Sequence, residues 1–152
     1  MESALALGLA LDGITGVSVA VTAFPGQAGR PDRVTRMVRH GQSPRARAGG
    51  FIQAARGGTP MAQALWYAAA DLLACREERR LVMVLTDGEP DDPPEVLRLL
   101  SLCRQARIET VGVGIGIDVQ HVFPTAIEVT EAKDLKRELF GVAERLLVGV
   151  AA

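Results

Sequence analysis

Two oxygen-bearing side chains stand where an α/β protein could place a ligand. Thr59 follows Gly57-Gly58 and opens a helical run, and Asp87 follows the wholly apolar stretch 81–85. Because ligand sites of open α/β sheets form in loops at the carboxyl ends of the strands, we expect both side chains at one edge. Hydroxyl and carboxylate oxygens are ligands that Mg²⁺ accepts. Thr59 and Asp87 therefore predict part of a magnesium site.

Each residue also has a purely structural interpretation. Thr59 could cap the helix that follows it, and Asp87-Gly88 is common turn chemistry. The glycines before Thr59 are not a phosphate loop, since no Lys-Ser/Thr pair follows them. Asp91 and Asp92 are expected to cap the next helix. Considered alone, Thr59 is better explained as a helix cap than as a ligand.

Other chemistry finds little support. The glycines of 112–116 resemble a dinucleotide fingerprint only loosely, because the spacing differs and no long helix follows at once. Close approach of a neighbouring loop is the better explanation for them. His40 and His121 stand alone in the sequence, and no serine occupies a nucleophile elbow. A hydrolytic enzyme is therefore not predicted.

Composition limits the class of protein. The 152 residues fit a single domain, 1–152, and the net charge of −1 gives no reason to expect a nucleic acid partner. No apolar run reaches the roughly 20 residues of a membrane span, and no signal peptide is recognised, so a cytoplasmic location is expected. Cys75 and Cys103 are predicted to be free thiols. The arginines of 30–47 are interpreted as a solvated edge, with a docking patch for an acidic partner as the alternative.

The pattern of apolar residues predicts the elements that position these side chains. We expect helices over 2–13, 46–56, 61–76, 92–106 and 132–148, and strands over 17–24, 34–39, 81–85, 108–115 and 125–129. The first two strands are predicted to form an antiparallel hairpin. From Thr59 onward strands and helices alternate. This predicts a three-layer α/β fold, with a mostly parallel sheet, one antiparallel edge strand and helices on both faces.

The motifs around Thr59 and Asp87 resemble a known family. Gly-Gly-Thr-Pro at Thr59 and Val-Leu-Thr-Asp-Gly-Glu-Pro-Asp around Asp87 are similar to the second and third motifs of a von Willebrand factor A (VWA) domain. The variant most resembles bacterial intracellular domains of the cobaltochelatase-subunit type, which work beside ring-forming AAA+ ATPases. The resemblance implies a metal-ion-dependent adhesion site in which Thr59 and Asp87 hold Mg²⁺ and a partner protein supplies a carboxylate. It implies a non-enzymatic interaction module active in metal insertion or complex remodelling.

The sequence departs from the family in its first motif. No Asp-x-Ser-x-Ser occurs, and helix 2–13 resembles the second half of the family's first helix, which leaves the family's first, central strand without a counterpart. The resemblance thus implies an N-terminally truncated domain with weak Mg²⁺ affinity. Its sheet is expected to close by direct pairing of strands 17–24 and 81–86, or by strand exchange within a homodimer. Two alternatives stay open: a small nucleotide- or ligand-binding enzyme using the loops after 81–86 and 108–115, and a truncated remnant without function.

Overall fold

The computed structural model describes residues 2–12, 14–24, 34–46 and 59–148. Within these ranges the chain forms four α-helices and five β-strands. In chain order they are α1 (Glu2–Asp12), β1 (Val21–Ala23), β2 (Thr35–Val38), α2 (Met61–Leu73), β3 (Arg80–Thr86), α3 (Pro93–Gln105), β4 (Ile108–Ile115), β5 (Ala126–Val129) and α4 (Ala132–Val148). The predicted helix 46–56 lies almost wholly outside the described residues.

A parallel sheet forms the centre of the protein, with strand order β3-β4-β5. The register of β3 on β4 runs from Arg80↔Ile108 to Thr86↔Gly114, while β5 pairs only with 112–115 of β4. The continuous apolar run of β3 suits a strand covered on both faces, and α3 makes the crossover that parallel pairing requires. This part of the prediction is confirmed.

Helices cover the parallel sheet on both faces. One apolar cluster joins α2 and α3 to buried residues of β3, including Val82 and Val84. The other joins α1 and α4 to Val111 and Val113 of β4. Because side chains alternate across a strand, β3 and β4 contribute to both clusters. The expected three-layer α/β architecture is therefore confirmed.

The expected antiparallel hairpin is also present, but β1 is shorter than predicted. Strand 17–24 was expected, yet only Val21–Ala23 pairs with β2, and the register shifts between Val21 and Thr22. The reason is the end of β2: Arg39 and Gln42 form a turn directly after it, with Gln42 N–H donating to Arg39 O at 3.0 Å. Residues 17–20 would pair with residues beyond the end of β2, so they do not extend β1. Ser18 Oγ instead lies 3.0 Å from His40 Nδ1.

The two sheets are separate. No hydrogen-bonded pairing joins β1 to β3 among the described residues, so the prediction of direct closure is wrong. Helix packing connects the sheets instead: α2 contacts both β1 and β3, and α1 contacts β1 and α4. Half-buried Leu81, Met83 and Leu85 of β3 pack against the cluster that contains Leu7 of α1. Burial of apolar surface, not strand pairing, thus joins the two halves.

Candidate functional site

Thr59 and the Asp87-Gly88 turn lie side by side at the carboxyl end of β3. Thr59 immediately precedes α2, and the turn follows the last residue of β3. A β-carbon placed on Gly88 would be only 2.9 Å from Thr59 Oγ1, closer than real β-carbons approach an oxygen. The hydroxyl thus packs directly on the glycine that follows Asp87. The structure brings the two sequence-predicted residues to the same edge of the sheet.

Asp91 ties this loop to the start of α2. Thr59 N–H donates to Asp91 Oδ1 at 2.8 Å, and Asp91 N–H donates to Thr59 O at 3.0 Å. Asp91 was expected to cap the next helix, and that expectation is wrong. Asp92 alone does so, accepting from Glu95 N–H at 3.1 Å. A helix needs only one N-cap residue, so the presence of Asp91 before Asp92 was a signal that one of the two acids has a different role.

Thr59 is not a helix cap. The N-cap of α2 is Pro60, and no side chain caps this helix. Thr59 O accepts from Met61 N–H at 2.7 Å, so the residue contributes its carbonyl to the helix start and leaves its hydroxyl against Gly88. The capping interpretation therefore does not explain why a threonine stands here.

Thr86 shapes the turn that carries Asp87. Its buried hydroxyl donates to Gly88 O at 2.8 Å and accepts from Gly88 N–H at 3.2 Å. Asp87 itself is exposed. Its carboxylate takes part in no side-chain hydrogen bond or ion pair that the structure records among the described residues. The turn thus presents a carboxylate that is available to a ligand.

The side chains at this edge are of the type that binds a hard cation, but they are too few to surround one. Thr59 and Asp87 offer a hydroxyl and a carboxylate, both oxygen donors that Mg²⁺ accepts. Within the described ranges, no group of three or more His, Cys, Asp or Glu side chains is placed to hold a metal ion. A cation bound by these two side chains alone would be held mainly by water. These two side chains alone do not complete the coordination shell of such an ion.

His121 joins the loops that follow β3 and β4. Its Nε2 lies 3.0 Å from Glu89 Oε2, and both side chains are more than half exposed. The sequence suggested that His40 and His121 stand alone, and the structure corrects this, since His40 contacts Ser18. A contact between side chains this exposed contributes at most about 1 kcal/mol. The contact places an imidazole and a carboxylate side by side at the surface near the site.

The glycines of β4 are there for packing. A β-carbon on Gly112 would overlap the ring of Phe123, and one on Gly114 would overlap the carbonyl oxygen of Ile117. Both positions are filled by the segment that follows the strand. This confirms close approach as the reason for the glycines and leaves no open cradle for a pyrophosphate.

Comparison with known protein families gives one match that covers most of the chain. Residues 9–142 match the family model described as von Willebrand factor type A domain. No curated protein sequence is similar enough to this one to count as a relative. The matched range contains β1 to β5 and both predicted site residues.

Solved structures with the same fold come from distant organisms. A structure of an aerotolerance-related membrane protein from Bacteroides fragilis, carrying multiple mutations to serines, aligns with a TM-score of 0.67 at 12% identity, over 94% of this chain and 86% of that one. Manganese-loaded TRAP protein of Plasmodium vivax aligns with a TM-score of 0.64 at 17% identity, over 90% and 62%. Proximal thread matrix protein 1 of the mussel byssus aligns with a TM-score of 0.69 at 18% identity, over 92% and 39%. The last two proteins extend well beyond the part that this chain spans. Among the described residues, no helix has the length and apolar character needed to cross a bilayer.

Proposed function

This chain belongs to the von Willebrand factor type A family, and from that premise we propose that it is a protein-interaction module that contacts its partner at the carboxyl edge of the β3-β4-β5 sheet. One observation carries the proposal. The Thr59 hydroxyl packs on Gly88 beside the exposed Asp87, and Asp91 fastens the two loops together through paired hydrogen bonds of 2.8 and 3.0 Å. Such bonding is what a site needs in order to hold two donors from separate elements in a fixed relation.

In this proposal Thr59 and Asp87 contribute to a divalent cation site of the adhesion type. Mg²⁺ bound there would supply positive charge to an acidic group on the partner. Thr59 and Asp87 would orient the ion, while Asp91 positions Thr59 without needing to touch the ion. The manganese-loaded Plasmodium vivax structure is a relative by fold that carries a divalent ion. That fold relation supports the choice of ion class for the present chain.

The division between β1 and β3 suggests where the other ligands come from. Among the described strands, β3 pairs with β4 along one edge and with no strand along the other, and β1 pairs with β2 alone. We propose that an additional apolar strand inserts beside β3 and ends in the Asp-x-Ser-x-Ser of the family's first motif. Since no Asp-x-Ser-x-Ser occurs within residues 1–152, the strand would come from polypeptide outside this range, either of the same molecule or, by strand exchange in a homodimer, of a second copy. Since parallel strands end at one edge, the new motif would arrive next to Asp87.

The finer functional assignment rests on the motif resemblance to domains of the cobaltochelatase-subunit type. On that basis the partner is a ring-forming AAA+ ATPase, and the process is metal insertion or complex remodelling. Neither requires the chain to catalyse a reaction. Its contribution would be a regulated contact through the partner's carboxylate.

A metal titration with and without the proposed strand tests this function. For residues 1–152 alone, millimolar Mg²⁺ or Mn²⁺ is expected to leave the melting temperature nearly unchanged, because two protein ligands bind the ion weakly. Adding a synthetic peptide of about eight mostly apolar residues that ends in Asp-Gly-Ser-Gly-Ser should raise the melting temperature. The rise should be larger when Mg²⁺ is present.

Asp87→Asn is the variant that tests the metal site, and Glu144→Gln is its control. Glu144 is exposed on α4, far along the chain from the site, so its substitution should leave the metal-dependent shift intact. Asp87→Asn should abolish the metal-dependent part. A clear rise in melting temperature with metal and no peptide would contradict weak metal binding by this chain. A peptide-induced rise that changes neither with metal nor in Asp87→Asn would contradict the proposed metal site. For the AAA+ partner, Mg²⁺-dependent binding to a purified chelatase-type ATPase should be lost in Asp87→Asn.

A further inference from the structure

A second surface lies at the opposite end of β4 from Asp87. It is a groove of about 740 Å³ between α3 from Leu97 onward, the first residues of β4 and the segment that leads into β5. None of the residues discussed for the metal site lines it. The lining residues used below are Leu97, Arg104, Arg107, Ile108, Thr110 and Phe123.

The floor of the groove is a stretch of β4 with which no described strand pairs on this side, and its residues Ile108 and Thr110 are 3% and 9% exposed at the base of the groove. β5 pairs with β4 only from Gly112 onward. Gly112 N–H donates to Thr125 O at 2.9 Å, and Gly116 N–H donates to Val129 O at 2.8 Å, so these alternate residues face the β5 side. By the two-residue period of a strand, the backbone groups of Ile108 and Thr110 face the same side. Since β5 begins later, these two residues offer up to two donors and two acceptors to another strand.

The walls of the groove are partly apolar. Leu97 on α3 is 49% exposed, and the buried ring of Phe123 closes the end nearest β5. Ile108 is buried beneath them. Exposed apolar side chains next to a free strand edge are the combination used in strand-addition recognition, in which backbone bonds give affinity and pockets accept alternate side chains.

The rim of the groove is basic. Arg104 and Arg107 are both exposed, and neither appears in any side-chain hydrogen bond or ion pair recorded for the described part of the chain. The nearby carboxylate of Glu109 is already engaged: Arg79 Nε and Nη2 donate to it at 2.8 and 3.3 Å. The rim therefore carries two uncompensated positive charges.

Arg107 has a backbone conformation that favours glycine. It has a φ of 58° directly after α3, where helices commonly end in a left-handed glycine. An L-residue with a side chain is strained there. The exposed side chain of Arg107 lines the groove. Strained residues of this kind concentrate at functional surfaces.

We propose that this groove binds an extended acidic segment of a partner protein. The segment adds to β4 as a short strand, bonding to the backbone of Ile108 and Thr110, with a carboxylate beside Arg104 and Arg107. This contact is independent of Thr59 and Asp87. The partner could therefore be held at both ends of the sheet at once.

Fluorescence anisotropy of the full chain with a labelled peptide tests the proposal. The probe is fluorescein-labelled Val-Glu-Val-Glu-Val-Glu. One comparison peptide replaces each glutamate by lysine, and another carries N-methyl groups on alternate backbone nitrogens. The acidic peptide should bind at least tenfold more tightly than either, because one comparison reverses the charge and the other removes the donors needed for strand pairing.

Variants then locate the site. Arg104→Glu and Arg107→Gly should each weaken binding of the acidic peptide several-fold. Arg107→Gly should at the same time keep or raise the melting temperature, since it relieves the left-handed strain, so lost binding cannot be attributed to unfolding. Arg137 has an exposed side chain on α4. Arg137→Glu and Asp87→Asn should both leave the affinity for the acidic peptide unchanged.

Three results would overturn the proposal: equal affinity for the lysine peptide, equal affinity for the N-methylated peptide, or unchanged binding by both Arg104→Glu and Arg107→Gly. Loss of peptide binding in Asp87→Asn would place the peptide at the metal site and would also contradict it. The metal titration described above does not depend on any of these outcomes.

Discussion

The parallel sheet and the antiparallel ribbon are stabilised in different ways. β3 and β4 share seven register pairs and are covered by helices on both faces, whereas β1 and β2 share three pairs and a core of Ala23, Met37 and Val38. An isolated two-stranded ribbon is marginally stable at best. The ribbon therefore depends on α1 and α2, which also pack on the larger half of the molecule.

The comparison explains how a divided sheet can persist. In the larger half, pairing and burial act together. Between β1 and β3, the described residues are joined only by apolar burial, through helices that contact both sheets. No strand of the described residues pairs with the edge of β3 that faces away from β4, and the proposed metal site depends on this feature. One pair of substitutions tests this contrast directly, and three further pairs compare positions within the larger half.

The largest difference is expected between two methionines. Met61 in the α2-α3-β3 cluster is 1% exposed, and Met37 in the ribbon is 8% exposed. Met61→Ala should lower the free energy of unfolding by about 3–5 kcal/mol, and Met37→Ala by about 2 kcal/mol, because a cavity in a larger, well-covered core collapses less. Urea denaturation measures both. Equal losses would mean that the ribbon is packed as well as the sheet.

Two glycines should respond with opposite signs. Gly112→Ala places a methyl group against the ring of Phe123 and should destabilise the protein by about 1–3 kcal/mol. Gly141 lies within α4 with nothing within 4 Å of its β-position. Gly141→Ala should stabilise by about 0.5–1 kcal/mol, since alanine is the better helix former. Thermal unfolding of the two variants gives the comparison, and a stabilised Gly112→Ala would show that the segment carrying Phe123 moves freely.

The starts of two helices provide a smaller contrast. Asp92 caps α3, while α2 has no side-chain cap. Asp92→Ala should therefore cost about 1 kcal/mol of stability, and Thr59→Ala only a few tenths. Chemical denaturation of both variants measures these losses. A loss of 1 kcal/mol or more in Thr59→Ala would mean that the packing of its hydroxyl on Gly88 holds α2 in place.

The smallest effect concerns the two thiols. Burial raises the pKa of Cys103, and burial followed by the charges of Glu77 and Asp71 raises the pKa of Cys75. A raised folded-state pKa contributes stability below the unfolded-state value, and this is lost as pH rises through the folded-state value. We expect a slight fall in unfolding free energy above about pH 8.5, the usual thiol pKa. Cys103→Ala should flatten that fall, and an unchanged slope would contradict the assignment. Thiol labelling should also be slower at buried Cys103 than at Cys75.

Local patterns predicted much of the parallel half. The apolar runs of β3 and β4, the period of α4 and the Asp92-Pro93 helix start all carry their signals within a few residues of sequence. The motifs at Thr59 and Asp87 likewise predicted correctly that both residues lie at the carboxyl end of the sheet. These predictions succeeded because each element buries residues that its own periodicity identifies.

The remainder depends on contacts between distant residues. The length of β1 is set by where β2 turns away, and the division of the sheet follows from how α1 and α2 pack on both sides. Asp91 bonds to a residue 32 positions earlier, and Glu89 to one 32 positions later. A two-residue shift in any loop would change such partners while leaving the local patterns unaltered. For that reason direct closure and the Thr59 cap were predicted wrongly.

The free edge of β3 can be measured directly by amide hydrogen exchange with NMR detection. Glu109, Val111 and Val113 of β4 face β3, because the alternate Gly112 and Gly116 face β5. A residue in a parallel ladder bonds to both neighbours of its register partner, so Val82 and Val84 face β4. The amides of Leu81, Met83 and Leu85 then face the free edge.

We expect alternating protection of the amides along β3 in the 152-residue chain. The amides of Val82 and Val84 should exchange slowly, at rates near those of global unfolding, and those of Leu81, Met83 and Leu85 should exchange much faster. Addition of the peptide that ends in Asp-Gly-Ser-Gly-Ser should slow the second set. Uniformly slow exchange along β3 in the chain alone would contradict a divided sheet with an edge open to another strand.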